Sequence, residues 1–204
     1  MTDIILNGAG GRMGRAVAEA APEFGCRVVA GVDVRPFAAD FPVYQKLSKV
    51  TEVADAVVDF TARDALPELR AFTLRTGIPL VVATTGYTEE DLRVLRALAG
   101  QAAVFYSRNM SLGINLLIEL CKTAARVLGG HCDIEIIEQH HNKKLDAPSG
   151  TALMIAEAVK EVRPDSAFVY DRTGVRQQRG AHEIGIHSIR GGNIVGEHEV
   201  MFCC

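Results

Sequence analysis

The chain has 204 residues, of which 48% are hydrophobic and 23% charged, an ordinary composition for a globular protein. Its formal net charge of −3 argues against general nucleic-acid binding, because no broad basic field is present. The apolar runs are short and interrupted, and the N-terminus lacks a basic leader, so neither a membrane partner nor a signal peptide is predicted. The five cysteines have no zinc-like spacing, and we expect reduced thiols in a cytoplasmic protein.

Short, almost uniformly apolar strands alternate with helical patterns in the first half of the chain. Strands are predicted at residues 4–7, 27–32, 56–60, 80–83 and 102–106, and helices at residues 12–24, 64–75 and 88–99. Apolar strands of this kind are buried on both faces, and their alternation with helices predicts a Rossmann-like, doubly wound parallel α/β sheet. Thr88 is interpreted as a helix cap. Residues 35–53 show no clear period and are predicted only as a connection.

The second half follows a different pattern, which predicts an α+β substrate and oligomerisation domain with a mixed sheet. Helices are expected at residues 111–128 and 151–162, capped by Ser111 and Ser149, and a strand at residues 133–138. Further strands at residues 183–189 and 194–202 flank the tight turn at 190–193, so we expect them to pair antiparallel as a hairpin. The boundary is predicted near Asn109, which gives a dinucleotide-binding domain at 1–108 and a substrate-binding domain at 109–204.

A glycine-rich loop follows the first strand and opens the first helix. It consists of Gly8, Ala9, Gly10, Gly11, Arg12, Met13 and Gly14. This order fits G-x-x-G-x-x-G rather than the strict G-x-G-x-x-G pattern. Missing side chains permit a tight turn and let backbone N–H groups approach a pyrophosphate at a helix N-terminus. Glycine turns also occur for purely structural reasons, but the position between a strand and a helix favours a nucleotide.

Asp33 ends the second strand, where an acidic side chain can accept hydrogen bonds from the ribose hydroxyls of a dinucleotide. An acid there favours NAD(H) because it would repel a 2′-phosphate, whereas Arg35 close by keeps NADP(H) open. The structural alternative is a solvated loop acid. Two later strand ends, at residues 60–61 and 83–86, are expected to line the same cofactor cleft, since ligands bind at the carboxyl ends of parallel strands.

The segment at residues 138–151, EQHHNKKLDAPSGT, combines two histidines and two lysines with the start of a helix. His140 or His141, together with Lys144, are candidates for binding an anionic substrate or for donating a proton. Gly150 and Thr151 would present backbone N–H groups, and Thr151 its hydroxyl, to a carboxylate. The segment therefore indicates a small substrate with more than one carboxylate.

A metal site is not predicted in this segment. Adjacent histidines in an extended segment point to opposite sides, and no further ligand lies at conventional zinc spacing. Later histidines, at His182, His187 and His198, keep a metallohydrolase open as a lower-ranked alternative.

Six segments together resemble the dihydrodipicolinate reductase family of lysine and diaminopimelate biosynthesis. They are GAGGRMG at 8–14, DFT at 59–61, ATTG at 83–86, NMSLGIN at 109–115, EQHHNKKLDAPSGT at 138–151 and RGGNIVGEHEVMF at 190–202. They occur in the order typical of the family and span nearly the whole chain. The resemblance implies an oxidoreductase that reduces 4-hydroxy-tetrahydrodipicolinate, a cyclic dicarboxylate, with NADH or NADPH, and Asp33 slightly favours NADH.

The resemblance also implies roles for individual residues. By position, His140 matches the proton donor and Lys144 the essential lysine, while His141 and the Gly150-Thr151 pair match the groups that bind substrate. The implied cofactor-binding residues are Gly8, Ala9, Gly10, Gly11, Arg12, Met13, Asp33, Ala83, Thr84, Thr85, Ser107, Arg108, Asn109 and Met110.

Members of the family form homotetramers and continue for several dozen residues beyond the strand that ends at Phe202. From the sequence we therefore expect a C-terminally truncated chain with weakened stability, assembly and turnover, because an unfinished sheet exposes an edge and apolar surface. The alternative function is a non-catalytic, nucleotide-binding remnant of the family. Retention of His140, Lys144 and the Gly150-Thr151 pair argues against that alternative.

Overall fold

The computed structural model describes all 204 residues. They divide into two compact units, Met1–Arg108 and Asn109–Cys204. The strands of the first unit are β1 (Thr2–Asn7), β2 (Cys26–Val32), β3 (Val43–Tyr44), β4 (Ala56–Asp59), β5 (Leu80–Val82) and β6 (Val104–Tyr106). Its helices are α1 (Arg12–Ala20), α2 (Leu66–Thr76) and α3 (Glu89–Ala99).

The six strands of the first unit form one parallel sheet in the order β3-β2-β1-β4-β5-β6. Apolar side chains from the sheet and helices, among them Ile5, Val57 and Leu69, form its buried core. The order reverses between β1 and β4, which is where doubly wound sheets bind their ligands. The Rossmann-like parallel sheet predicted from the sequence is confirmed.

Two segments of the first unit differ from what the sequence predicted, whereas the predicted helix cap at Thr88 is present. The helix predicted to reach residue 24 ends at Ala20 and continues as a 3₁₀ turn, Ala21–Phe24. The reason is Pro22, which cannot donate the backbone N–H that an α-helix requires. The connection at 35–53 contains β3 and a second 3₁₀ turn, Leu47–Lys49. Thr88 caps α3 in a reciprocal capping box with Asp91, as predicted.

The second unit packs two helices against a mixed sheet. Its elements are α4 (Leu112–Leu128), β7 (Asp133–His140), α5 (Gly150–Val162), β8 (Ala167–Val169), β9 (Glu183–Arg190) and β10 (Glu197–Cys203). The strand order is β10-β7-β9-β8. The buried core is apolar and includes Ile134, Ile155 and Ile184. The prediction of a mixed sheet is confirmed, whereas β8 was not predicted.

The predicted hairpin between the last two strands is wrong. Strand β7 lies between them, antiparallel to β10 and parallel to β9. β10 begins at Glu197 rather than at residue 194, so residues 191–196 form a connection that is longer than the predicted turn and passes the end of β7. β7 carries the buried residues Ile134 and Ile136, and a central position lets its backbone bond on both edges.

The prediction of five reduced thiols is wrong for one pair, because Cys132 and Cys204 form a disulfide. The β7–β10 register pairs Asp133 with Cys203, which sets the two bonded cysteines opposite each other at the strand ends. The other three cysteines, Cys26, Cys121 and Cys203, are thiols. None of the helices combines the length and the apolar character needed to cross a membrane.

Candidate functional site

The glycine loop forms a tight turn between β1 and α1. Gly8 has a φ of +81°, and a Cβ there would come within 2.9 Å of the Phe60 carbonyl oxygen. A Cβ on Gly14, in the first turn of α1, would overlap the Gly8 carbonyl. Gly11 caps α1 without a side-chain bond, and no acidic residue stands in the first turn of the helix. The loop therefore fits a pyrophosphate, which backbone N–H groups at this helix end would bind.

The Asp33 carboxylate forms hydrogen bonds with the backbone, including that of the glycine loop, so it is not a freely solvated loop acid. Its carboxylate accepts hydrogen bonds from the backbone N–H groups of Gly10, at 2.9 Å, and Arg35, at 3.0 Å. It lines a cavity of about 460 Å³ together with Arg15 and Arg35. Arg15 donates through Nε to the Gly10 carbonyl at 3.0 Å, and its guanidinium lies 5.9 Å from the Phe37 ring centroid. The cavity thus combines an acceptor for ribose hydroxyls with cations that suit a phosphate.

A buried carboxylate joins three strand ends beside the loop. Asp59 is fully buried at the end of β4. It accepts hydrogen bonds from Asn7 Nδ2 at 2.8 Å, from Thr61 Oγ1 at 2.6 Å and from Thr84 Oγ1 at 2.6 Å. These donors follow or end β1, β4 and β5, so the network fixes the carboxyl edge of the sheet. A second cavity of about 460 Å³ opens there, lined by Asn7, Gly8 and Thr61 among others.

The other predicted cofactor residues follow neighbouring strands. Ala83, Thr84 and Thr85 follow β5, and Ser107 and Arg108 follow β6. They therefore lie at the carboxyl edge of the first unit's sheet. Asn109 and Met110 belong to the second unit. The roles of all these residues stay predictions.

In the second unit, His140 ends β7 and contacts a buried carboxylate. Its Nδ1 lies 2.5 Å from Oε2 of Glu138, which is fully buried. Arg190 donates to both carboxylate oxygens of Glu138, at 2.8 and 2.7 Å, and the Ser149 backbone N–H donates at 3.1 Å. Burial disfavours the charged form, but the hydrogen bonds, led by those from Arg190, outweigh burial and lower the pKa of Glu138 to about 2.

A second histidine packs against the first. The ring centroid of His198 lies 5.4 Å from that of His140, edge to face, and its Nε2 lies 3.1 Å from Ser149 Oγ. Burial and the neighbouring His140 lower the pKa of His198. The same Ser149 hydroxyl accepts a hydrogen bond from the Ala152 N–H at 3.1 Å, so the predicted helix cap is confirmed.

The remaining candidate substrate residues belong to the same segment as His140 or to the start of α5. Lys144 Nζ lies 2.8 Å from Asp146 Oδ1, and Thr151 Oγ1 accepts a hydrogen bond from Asn109 Nδ2 at 2.9 Å. Nδ1 of His141 is buried and has no hydrogen-bond partner. An unpartnered buried nitrogen costs about 1–3 kcal/mol, which a ligand that bonds it would offset.

Three residues that organise these sites, Asp59, Glu138 and Arg190, were missing from the sequence-based candidates. His198 was considered only as a metal ligand. A signal existed for Glu138, because alternation along β7 sets it on the face that buries Ile134 and Ile136. An acid on a buried face requires a cationic partner. No group of three or more histidine, cysteine, aspartate or glutamate side chains is arranged to hold a metal ion.

The doubly wound sheet with its glycine loop, followed by a unit rich in cationic donors, defines a nicotinamide-nucleotide-dependent oxidoreductase. Models of the N-terminal and C-terminal parts of dihydrodipicolinate reductase match residues 2–110 and 113–204. The chain belongs to the dihydrodipicolinate reductase family, and the resemblance seen in the six sequence segments is confirmed.

Named relatives support this membership. The 4-hydroxy-tetrahydrodipicolinate reductase of Caldanaerobacter subterraneus subsp. tengcongensis is 52% identical over 206 residues, which cover 99% of this chain and 81% of the relative. That of Clostridium botulinum is 42% identical over 204 residues, with the same coverage of 99% and 81%. A solved structure, dipicolinate-bound dihydrodipicolinate reductase from Paenisporosarcina sp. TG-14, has a TM-score of 0.74 and 27% identity, and the match covers 99% of this chain and 83% of that one.

Proposed function

We propose that the chain reduces 4-hydroxy-tetrahydrodipicolinate to tetrahydrodipicolinate with NADH or NADPH. The relatives at 52% and 42% identity carry that reductase name, and the solved relative binds dipicolinate, a planar dicarboxylate. The observation that carries the proposal is the cluster of His140, Lys144 and the N-terminus of α5 in one unit. It supplies one proton donor and several donors for carboxylates.

The donors suit a substrate with two carboxylates. Gly150 and Thr151 are the first residues of α5, where backbone N–H groups and the helix dipole favour an anion. Lys144 adds a positive charge, and His141 adds a buried nitrogen that has no partner within the chain. We infer that these groups bind the carboxylates and fix the orientation of the ring.

His140 is the residue proposed to hold the proton. Because its Nδ1 is engaged by Glu138, Nε2 is the nitrogen left to exchange a proton with the substrate. When bound, a reduced nicotinamide supplies the hydride that C4 of the substrate accepts. Because C4 is saturated and bears the hydroxyl, that hydroxyl must first leave as water with a proton from the neighbouring ring carbon, which leaves a double bond to C4. The hydride then adds to C4 and the proton from His140 to the neighbouring carbon, so the reaction gains one hydride and one proton and loses one water.

Either coenzyme fits the groups around Asp33, and we propose that NADH is slightly favoured. The carboxylate suits free ribose hydroxyls, whereas Arg15 and Arg35 line the same cavity and suit a 2′-phosphate. The homotetramer implied by the family resemblance and the cytoplasmic location predicted from the sequence belong to this proposal as well.

Oxidation of NADH and of NADPH by the purified chain, with freshly generated 4-hydroxy-tetrahydrodipicolinate, tests the proposal. We expect turnover with both coenzymes and a loss of roughly 100-fold in kcat for Lys144→Ala, with NADH binding retained. The matched control is Lys143→Ala, which removes an exposed lysine one residue away and should leave kcat unchanged. Cofactor binding without turnover by the unaltered chain would contradict the proposal and favour a non-catalytic nucleotide-binding protein.

A further inference from the structure

We propose that Glu138, held by Arg190, is a positioning residue that sets the orientation and protonation of His140 and fixes the surrounding substrate groups. The inference rests on the proposed function, because it assigns His140 the proton that the reaction needs. It concerns Glu138 and Arg190, to which the family resemblance assigned no role.

Both carboxylate oxygens of Glu138 accept hydrogen bonds. Oε2 of Glu138 contacts His140 Nδ1 at 2.5 Å and accepts from Arg190 Nη1 at 2.8 Å. Oε1 accepts from Arg190 Nη2 at 2.7 Å and from the Ser149 N–H at 3.1 Å. The side chain is fully buried, so water does not compete for these bonds. A carboxylate held by four donors has one orientation, and it presents the same oxygen to His140 in every molecule.

The contact with Glu138 determines which nitrogen of the His140 imidazole carries a hydrogen. An ionised carboxylate can only accept, so Nδ1 of His140 must carry a hydrogen and Nε2 becomes the exchangeable nitrogen. Gly196 leaves space on that side, because a Cβ there would lie 3.0 Å from Nε2. The low pKa of Glu138 keeps the carboxylate charged throughout the range in which a histidine titrates.

Arg190 extends the same hydrogen-bond network to the other residues proposed to bind substrate. Its Nη2 also donates to the Asp146 carbonyl at 2.6 Å, and the Asp146 side chain pairs with Lys144 at 2.8 Å. Ser149, the cap of α5, bonds Glu138 through its backbone N–H. One buried ion pair therefore joins the proton donor, the lysine loop and the helix that presents Gly150.

The charged or titratable groups linked to His140, directly or through other members of the group, come from three strands and a loop. Glu138 lies on β7 itself, Arg190 on β9 and His198 on β10, and Lys144 and Asp146 lie in the loop at 141–147. Glu138 is the anion in direct contact with the ring. Removal of its charge should destabilise the protonated imidazole, because the cations Arg190 and Lys144 remain nearby.

A purely structural role is the competing explanation, since a buried ion pair can serve folding alone. The two roles differ in what they do to the titration of His140. A structural pair would change the free energy of unfolding without changing the pH at which His140 gains its proton.

We would follow the imidazole resonances of His140 by NMR as a function of pH in the full chain, assigned with a His140→Gln variant. For Glu138→Gln we expect the titration midpoint to fall by about one pH unit or more, and for Glu138→Asp, which keeps the charge, to stay closer to that of the unaltered chain. Glu138→Gln leaves Arg190 buried without a counter-charge. If that variant fails to fold, the neutral pair Glu138→Gln with Arg190→Gln replaces it, with a smaller shift in the same direction.

Glu135→Gln is the matched control. Glu135 lies on the same strand, pairs with Arg172 and Arg179 at 3.4 and 3.0 Å, and points to the other face. The Glu135→Gln variant should leave the titration midpoint of His140 unchanged. An unchanged His140 midpoint in folded Glu138→Gln, or in the neutral double variant if it replaces Glu138→Gln, would overturn the proposal. An equal shift in the Glu135→Gln control would overturn it as well.

The kinetic readout separates this inference from the proposed function. If the chain turns over substrate, Glu138→Gln should lower kcat about 100-fold. In a plot of kcat against pH, the loss of activity on the alkaline side should move to lower pH. The KM for NADH should stay unchanged. The NMR titration needs neither substrate nor cofactor. A chain without turnover would refute the proposed function, while the His140 midpoint would still decide the role of Glu138.

Discussion

The carboxylate of Glu135 lies over Gly185, its partner across the β7–β9 pair. A Cβ at Gly185 would overlap this carboxylate, so the glycine makes room for the acid. The space matters because Glu135 accepts from Arg179 Nε at 3.0 Å and contacts His187 Nε2 at 2.8 Å. The pair thus allows a network of charges to form on the face of β7 opposite Glu138.

Gly185→Ala should therefore destabilise the second unit. The new methyl group must displace the Glu135 carboxylate from its partners, and we expect a loss of about 1–3 kcal/mol in the free energy of unfolding. Urea unfolding followed by circular dichroism would measure it. Gly174→Ala is the control, because nothing lies within 4 Å of its Cβ position and its φ is not positive. Equal losses in both variants would show that the steric explanation fails.

The first unit was predictable because its signals are local. Each buried parallel strand is an apolar run, and the glycine loop stands between a strand and a helix, so element type and chain order together specify the sheet. The second sheet was only partly predictable. A short turn after Arg190 suggested a hairpin, but β7 intervenes, and no local pattern encodes which strand becomes central.

The candidate site, too, could be predicted from the sequence only in part. His140, Lys144 and Gly150 lie within one short segment, so residue types and spacing were sufficient to single them out. The partnership of Glu138 with Arg190 spans 52 residues and depends on the β7–β9 register, which pairs His140 with Arg190. Register is a tertiary property, so the residues that hold the reactive groups could not be predicted with the groups themselves.

Coenzyme choice can be tested at Arg35. Its backbone N–H donates to Asp33 Oδ1 at 3.0 Å, and the residue lines the cavity beside that acid. In Arg35→Ala the backbone bond remains, while a cation suited to a 2′-phosphate is lost. We expect the KM for NADPH to rise about tenfold, equivalent to about 1.4 kcal/mol, with little change in the KM for NADH. Arg70→Ala, an equal charge change at an exposed position of α2, should affect neither value. An equal rise for both coenzymes would contradict a phosphate-specific role.

The second unit should lose stability in acid through Glu138. The pKa of this carboxyl is lowered from 4.5 to about 2 in the folded chain. A lowered folded-state pKa stabilises the fold above the unfolded value, and this contribution disappears as pH falls from about 4.5 towards 2. Between pH 7 and pH 3, the unaltered chain should lose about 2 kcal/mol more than the Glu138→Gln, Arg190→Gln double variant. Urea unfolding at both pH values would measure the difference. Glu89→Gln, whose nearest cation lies 4.0 Å away, should behave as the unaltered chain.

The disulfide between Cys132 and Cys204 predicts a defined labelling pattern. In denaturant without reductant, an alkylating reagent should modify three of the five cysteines, and peptide mapping should identify them as the free thiols Cys26, Cys121 and Cys203. With reductant, all five should react. Cys203→Ser should leave the bond intact, whereas Cys204→Ser should free Cys132 for labelling. Five labelled cysteines without reductant would show that the pair is not oxidised under the conditions of preparation, as a reducing compartment would favour.

Reduction should also weaken the attachment of β10. This strand forms the edge of its sheet, pairs only with β7 and carries His198, while the bond closes a loop with a sequence separation of 72. A loop of that length contributes about 2–4 kcal/mol by restricting the unfolded chain. We expect reductant to lower the free energy of unfolding by that amount in the unaltered chain and to leave the Cys204→Ser variant unchanged. Because seven β7–β10 residue pairs remain without the bond, the contact between His198 and Ser149 should persist after reduction. Loss of that contact, seen as a changed His198 titration, would mean that the disulfide rather than the strand pairing holds β10 against the site.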